Sequence, residues 1–171
     1  MAHDETISRL ARQIDAARQS ERFLLDAGEV AGLRRQGAVE LHGICADFVS
    51  SLNSRLSHAT LDLAPPTYAP EMFREAGVNL IQIGSQGREM QIAFQAPSQL
   101  FSTEKFPVPY VLEGEVRAYN QKMLERFEIR TYSLFFCVNH EGAVWRFYDW
   151  RIPHSSTVDR NLLAGLMERL F

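Results

Sequence analysis

Apolar positions recur at three- and four-residue steps near both ends of the chain and at two-residue steps between them. From Asp4 to about Asp26, Ile7, Leu10, Ile14, Ala17 and Leu24 keep the helical step while Arg, Gln, Asp and Glu fill the remaining places. That spacing predicts an amphipathic helix with a narrow stripe. So thin a seam suits either docking on the helix's own domain or pairing with a second copy; docking on its own domain is the expectation, since most amphipathic helices cover a core, and oligomerisation through residues 1–27 is the alternative. After Gly28, Leu41, Ile44, Cys45, Phe48, Val49, Leu52 and Leu56 mark a second helix with a broad apolar face, the signature of a helix that covers a core.

The Pro-rich stretch "HATLDLAPPTYAPEMFREAG" closes on Gly77 and reads as a connection within one domain, with a short helix at Glu71 to Glu75. From there the period becomes two. "VNLIQIG" and "REMQIAFQA" flank Ser85-Gln86-Gly87 as a hairpin, and Met90, Ile92 and Phe94 point away from Glu89, Gln91 and Gln95. "YVLEGEVRAY" alternates in the same way, which leaves Glu113, Glu115 and Arg117 on a wet face, with Glu128 and Arg130 expected opposite. A turn near Asn120-Gln121-Lys122 and another at Asn139-His140-Glu141-Gly142 bound "RFEIRTYSLFFCV" and "AVWRFYDW". A last helix is expected from about Thr157, announced by Ser156-Thr157-Val158-Asp159 and carrying Leu162, Leu163, Leu166, Met167 and Leu170 inward. The order predicts one α+β domain over residues 1–171: two N-terminal helices, a five-stranded antiparallel meander, and a C-terminal helix packed on the sheet.

Alternation fails in "FFCVNHEGAVWRFYDW", where Leu134, Phe136 and Val138 oppose Phe135 and Cys137, and Trp145 and Phe147 oppose Tyr148 and Trp150. A strand apolar on both faces needs a cover on each, and the core helix and the terminal helix are the two expected covers. If one cover is incomplete, the aromatic end becomes a groove or an interface, because Trp and Tyr suit half-buried places. Trp145, Tyr148, Trp150, Arg151 and His154 are therefore the candidate ligand- or partner-binding residues, with Arg146 and Asp149 beside them.

Charge and composition narrow the classes. With 46% hydrophobic residues, 23% charged residues and a net charge of -3, the chain can bury an ordinary core and carries no basic run for nucleic acid. No apolar run reaches the roughly 20 residues that span a bilayer, and the N-terminus lacks a secretory pattern, so neither nucleic acid nor membrane is an expected partner and a cytoplasmic protein is expected. The two cysteines, Cys45 and Cys137, are expected as free thiols in apolar surroundings.

Neither a metal site nor a cofactor is expected, since Cys and His are sparse and no Gly-rich phosphate loop occurs. No catalytic residue is assigned. His58-Ala59-Thr60 and His154-Ser155-Ser156 superficially resemble the paired motifs of the two-histidine phosphoesterases, in which each histidine is a general acid or base. That family places both motifs on strands, whereas His58 is expected after a helix and His154 before one. The expected role is a non-enzymatic binding domain: a homo-oligomer, most simply a dimer, or the captor of a protein partner or small apolar ligand at the aromatic end. The alternative is an enzyme, hydrolase or phosphoesterase-like, with a pocket between helices and sheet near His154, Arg151 and Asp149.

Overall fold

In the computed structural model, residues 2–22, 26–139, 141–152 and 154–171 are described, with side chains in the first helix described from 5 to 17. Leu24 and His140 of the predicted pattern lie outside the described residues. Helix α1 spans Ala2–Arg22 and α2 spans Ala27–Asn53. Asp26, expected to end the first helix, instead caps the second: its carboxylate accepts from the Gly28 amide at 2.8 Å. A short side-chain oxygen meets the unpaired N–H groups of a first helical turn, so Asp is worth more before a helix than inside one.

The sheet has seven strands in simple sequence order, all antiparallel to their neighbours: β1 (Asp62–Ala64), β2 (Asn79–Ser85), β3 (Arg88–Gln95), β4 (Tyr110–Tyr119), β5 (Arg130–Asn139), β6 (Gly142–Asp149) and β7 (His154–Thr157). Five of these were expected; β1 and β7 are additions at the two edges. β1 is short and embedded in the Pro-rich connection, which hides its signal. At β7, the hydroxyl residues expected to cap the last helix are strand residues. Arg146 of β6 donates to the Ser155 hydroxyl from Nε at 3.1 Å and Nη2 at 2.6 Å, and to the Thr157 hydroxyl at 3.3 Å. Helix α4 starts later, at Arg160–Glu168, and its cap is Asp159, which accepts from the Leu162 amide at 2.8 Å.

Elsewhere the differences are local. The short helix expected at Glu71 to Glu75 is a single 3-10 turn at Pro70–Met72. The turn near Asn120 contains a brief helix, α3 (Gln121–Glu125), whose first turn is closed by the Asn120 side chain on the Met123 amide. Ser85 pairs with Arg88, and the intervening Gln86 and Gly87 both have positive φ, 51° and 76°, as a two-residue hairpin turn requires. The charge ladder on β4 is opposed differently from the expectation: Glu115 faces Ser133 and Arg117 faces Thr131, while Arg130 pairs with Ala118.

One face of the sheet is covered by both long-range helices. α2 touches β1, β2, β4 and β6, and α4 packs beside α2. Leu41, Cys45 and Phe48 of α2 and Leu163, Leu166 and Met167 of α4 join Ile81, Ile92, Phe94, Leu134, Phe136 and Trp145 in one buried cluster. The expectation that α4 would cover the opposite face is thus corrected: the two helices share a face. On the opposite face Glu115 and Arg117 stay exposed, and part of that face is covered by residues 96–109, a segment outside the helices and the seven strands. Its Phe106 ring stacks on Phe135 at 4.9 Å, and with Tyr110, Cys137 and Tyr148 forms a second, smaller core.

Candidate functional site

The aromatic stretch is divided by strand geometry. Inward-pointing Trp145 is buried at the centre of the main core, 5.2 Å from the Phe136 ring and 5.9 Å edge-on from Phe94. Its indole Nε1 donates to the Gly37 carbonyl of α2 at 2.7 Å. The helix approaches so closely there that a Cβ on Gly37 would lie 2.6 Å from the Phe136 ring, so only glycine fits. Trp145 is accordingly a core anchor, and a binding role for it would require unseating α2. Tyr148 points to the other face, half-buried, against Phe106 at 5.7 Å.

Only the end of the stretch reaches solvent. Trp150 is 63% exposed on the β6–β7 connection, and Ile152 two residues on is equally open. Arg151 lies with its guanidinium 4.8 Å over the Trp150 ring and donates to the Thr131 carbonyl at 3.1 Å. Asp149 is buried, and its carboxylate accepts from the Arg151 amide at 3.1 Å and from the guanidinium at 3.4 Å. His154 opens β7, exposed, as the ladder partner of Asp149, and no side-chain hydrogen bond between the two is present among the described residues. The fold does bring Asp149, Trp150, Arg151 and His154 to one hairpin end. Their polar groups fasten the hairpin: Arg151 ties β6 to β5, and Asp149 holds Arg151.

The pair of histidine motifs separates. His58 lies exposed between α2 and β1, off the sheet, and His154 begins β7 at the edge of the sheet opposite β1. His154 does stand on a strand, contrary to the expectation that it precedes a helix. Cys45 and Cys137 are both free and buried, and burial pushes each thiol up to about 12, so neither is an activated nucleophile. Among the described residues, no three His, Cys, Asp or Glu side chains converge as metal ligands, and no helix is long and apolar enough to cross a membrane.

Three features were not legible in the sequence. The same end of the sheet carries Phe127, between α3 and β5, which is 94% exposed and has a positive φ of 54°. A bulky residue in the left-handed region is uncommon, and a fully exposed one contributes nothing to the core. Beside it, a cleft of about 560 Å³ opens between the β4–β5 end and α4, walled by Met123, Tyr132, Leu166 and Leu170. Arg169 lines it and donates to the Tyr132 hydroxyl at 2.7 Å; Asp149, Arg151 and His154 do not line it. The third feature is buried: Arg34 of α2 reaches the carbonyls of Val111, Gln99 and Leu100 at 3.0, 3.0 and 2.9 Å and pairs with Glu75. One cation thus holds the irregular step in β4 and the start of the segment that roofs the second core.

The remaining candidate is α1. Its stripe is not seated on the domain: Ile7, Leu10 and Ile14 are 66%, 53% and 57% exposed. The fold defines an α+β domain built on a single antiparallel meander sheet. Comparison with known proteins adds nothing to that class: no family model, curated protein or solved structure matches the chain significantly.

Proposed function

We propose that this chain is a non-enzymatic interaction domain that works as a self-associated unit, joined through the apolar stripe of α1. The observation that carries this reading is the exposure of Ile7, Leu10 and Ile14 on a helix of 21 residues. In proteins most helical stability comes from packing an amphipathic face rather than from intrinsic propensity. A stripe with regular helical spacing and no cover on its own domain is matched by a second stripe. The test is the mass in solution. Wild-type protein is expected above the 19.5 kDa of one chain, and Leu10→Asp with Ile14→Asp is expected to return it to that mass with the sheet's circular dichroism unchanged. Wild-type protein that scatters light as a single chain at all concentrations overturns the proposal.

A second reading is favoured by Trp150, Ile152 and Phe127, which gather exposed apolar surface at one end of the sheet. There the domain captures a protein partner or an apolar ligand, and Trp150 is its anchor, held in place by Arg151. Aromatic side chains on a rigid support are the usual centres of binding surfaces. This role is compatible with self-association, because α1 and the sheet end use different residues.

A further inference from the structure

We infer that two copies of this chain join by antiparallel pairing of α1, in a register that sets Leu10 of each helix against Ile14 of the other. The inference rests on the self-association proposed above and adds the geometry. The backbone of α1 is helical through Ala2–Arg22, so heptad places can be assigned along it, with Ile7 and Ile14 at a and Leu10 and Ala17 at d.

When the helices run in opposite directions, each a layer meets a d layer. Ile7 then meets Ala17, and Leu10 meets Ile14, so each layer joins a branched side chain to a different partner and the pattern reads the same from both ends. That is the self-complementarity a two-fold dimer demands. The sequence continues the match outward. The next seam places belong to His3 and Glu21, which an antiparallel pair sets together, and the flanking places of Asp4 and Arg18 become neighbours. In a parallel pair each seam place would meet its own copy, so Glu21 would oppose Glu21 and His3 would oppose His3, while the flanking places would join Gln13 to Arg18 and Thr6 to Ala11 with no opposite charges. Opposite charges at such places choose orientation even where they add little affinity. At the midpoint the flanking residues are Ala11 and Gln13, small or uncharged, which tolerates each helix meeting itself there.

Orientation also settles where the two domains go. α2 starts a few residues after α1 ends, so each domain hangs from the C-terminal end of its own α1. Antiparallel pairing separates the two attachment points by about 30 Å, the length of a helix of this size. A parallel pair would bring both domains to the same end.

The experiment is disulfide trapping in the full chain, with Ile7→Cys and Ala17→Cys made as separate proteins. Cys45 and Cys137 are buried and do not compete. Oxidised alone, each variant is expected to remain uncross-linked, and the exchanged mixture is expected to give the mixed dimer as the main product. A second pair, Asp4→Cys with Arg18→Cys, repeats the test outside the apolar seam in case the first pair weakens association. Cross-linking of each variant with itself would overturn the antiparallel register while leaving self-association standing. A dimer that disappears with Leu10→Asp and Ile14→Asp but yields no mixed cross-link from either pair would also overturn the register. Monomeric wild-type protein would overturn both proposals together.

Discussion

Helices α1 and α2 are similar in length and both show apolar residues at helical steps, yet one is sunk into the molecule and the other is not. The difference lies in the width of the apolar face and in what interrupts it. α2 buries Val30, Ala38, Leu41, Cys45, Phe48 and Val49 along a broad strip, with Gly37 where the sheet comes closest. α1 offers one residue per turn, too little area to hold it against a flat sheet, but enough to match a second narrow seam. The sheet end repeats this contrast on a smaller scale. Trp145 is seated under α2, whereas Trp150, a few residues further along the same strand and turn, is left in solvent.

The contrast between seated and unseated parts can be broken most severely at Trp145. Trp145→Ala removes the ring between Phe94, Phe136 and α2, and is expected to cost about 3–5 kcal/mol of unfolding free energy in urea titration. A loss under about 1 kcal/mol would mean that α2 is not anchored there. Arg34→Met should come next. It leaves the Val111 carbonyl without its donor and releases Glu75, which is half exposed and can hydrate, so about 2–3 kcal/mol is expected. The same change should speed proteolysis within 96–109 before the rest of the domain is cut, because Arg34 holds Gln99 and Leu100 at the start of that segment.

An effect confined to alkaline solution, and absent at neutral pH, is expected at Cys45 on the buried face of α2. Burial raises its pKa from 9.0 to about 12, so the folded chain keeps a proton that the unfolded chain gives up. The contribution is fully present below pH 9 and is lost as pH rises toward 12. Urea midpoints should fall over that window, less steeply in Cys45→Ala; an identical slope in the variant would show that this thiol is not shielded. The smallest change, and one of opposite sign, is expected at Phe127→Gly. Glycine adopts positive φ without strain, so the variant should gain about 0.5–1 kcal/mol. A loss would show that the exposed ring is covered within its own chain.

Much of the fold was legible, and the misses share a cause. The central strands were readable because one of their faces is wet, which imprints a two-residue period on Met90, Ile92 and Phe94. The edge strands β1 and β7 were not, since a short strand has too few residues to show a period and its Ser and Thr also serve as caps. At the candidate site, the structure leaves Trp150 and Ile152 exposed and seats Trp145 in the core. The burial of Trp145 was not legible, because alternation does not say which face a helix will take. Arg34 and Phe127 carried no signal at all: a cation inside a helix and a phenylalanine in a turn look ordinary until long-range packing gives the first its carbonyls and denies the second any cover.

By itself the sequence determined the class of the domain and the order of its main elements, because these follow from periodicity and local turn chemistry acting over neighbouring residues; that α1 stays off its own domain was decided by the structure. Only the tertiary structure decided that α2 and α4 share one face, that 96–109 roofs part of the other, and which aromatics remain outside. Those outcomes depend on contacts between residues far apart in the chain, such as Trp145 with Gly37 and Arg34 with Val111, whose energies are set by three-dimensional fit and leave no trace in local pattern.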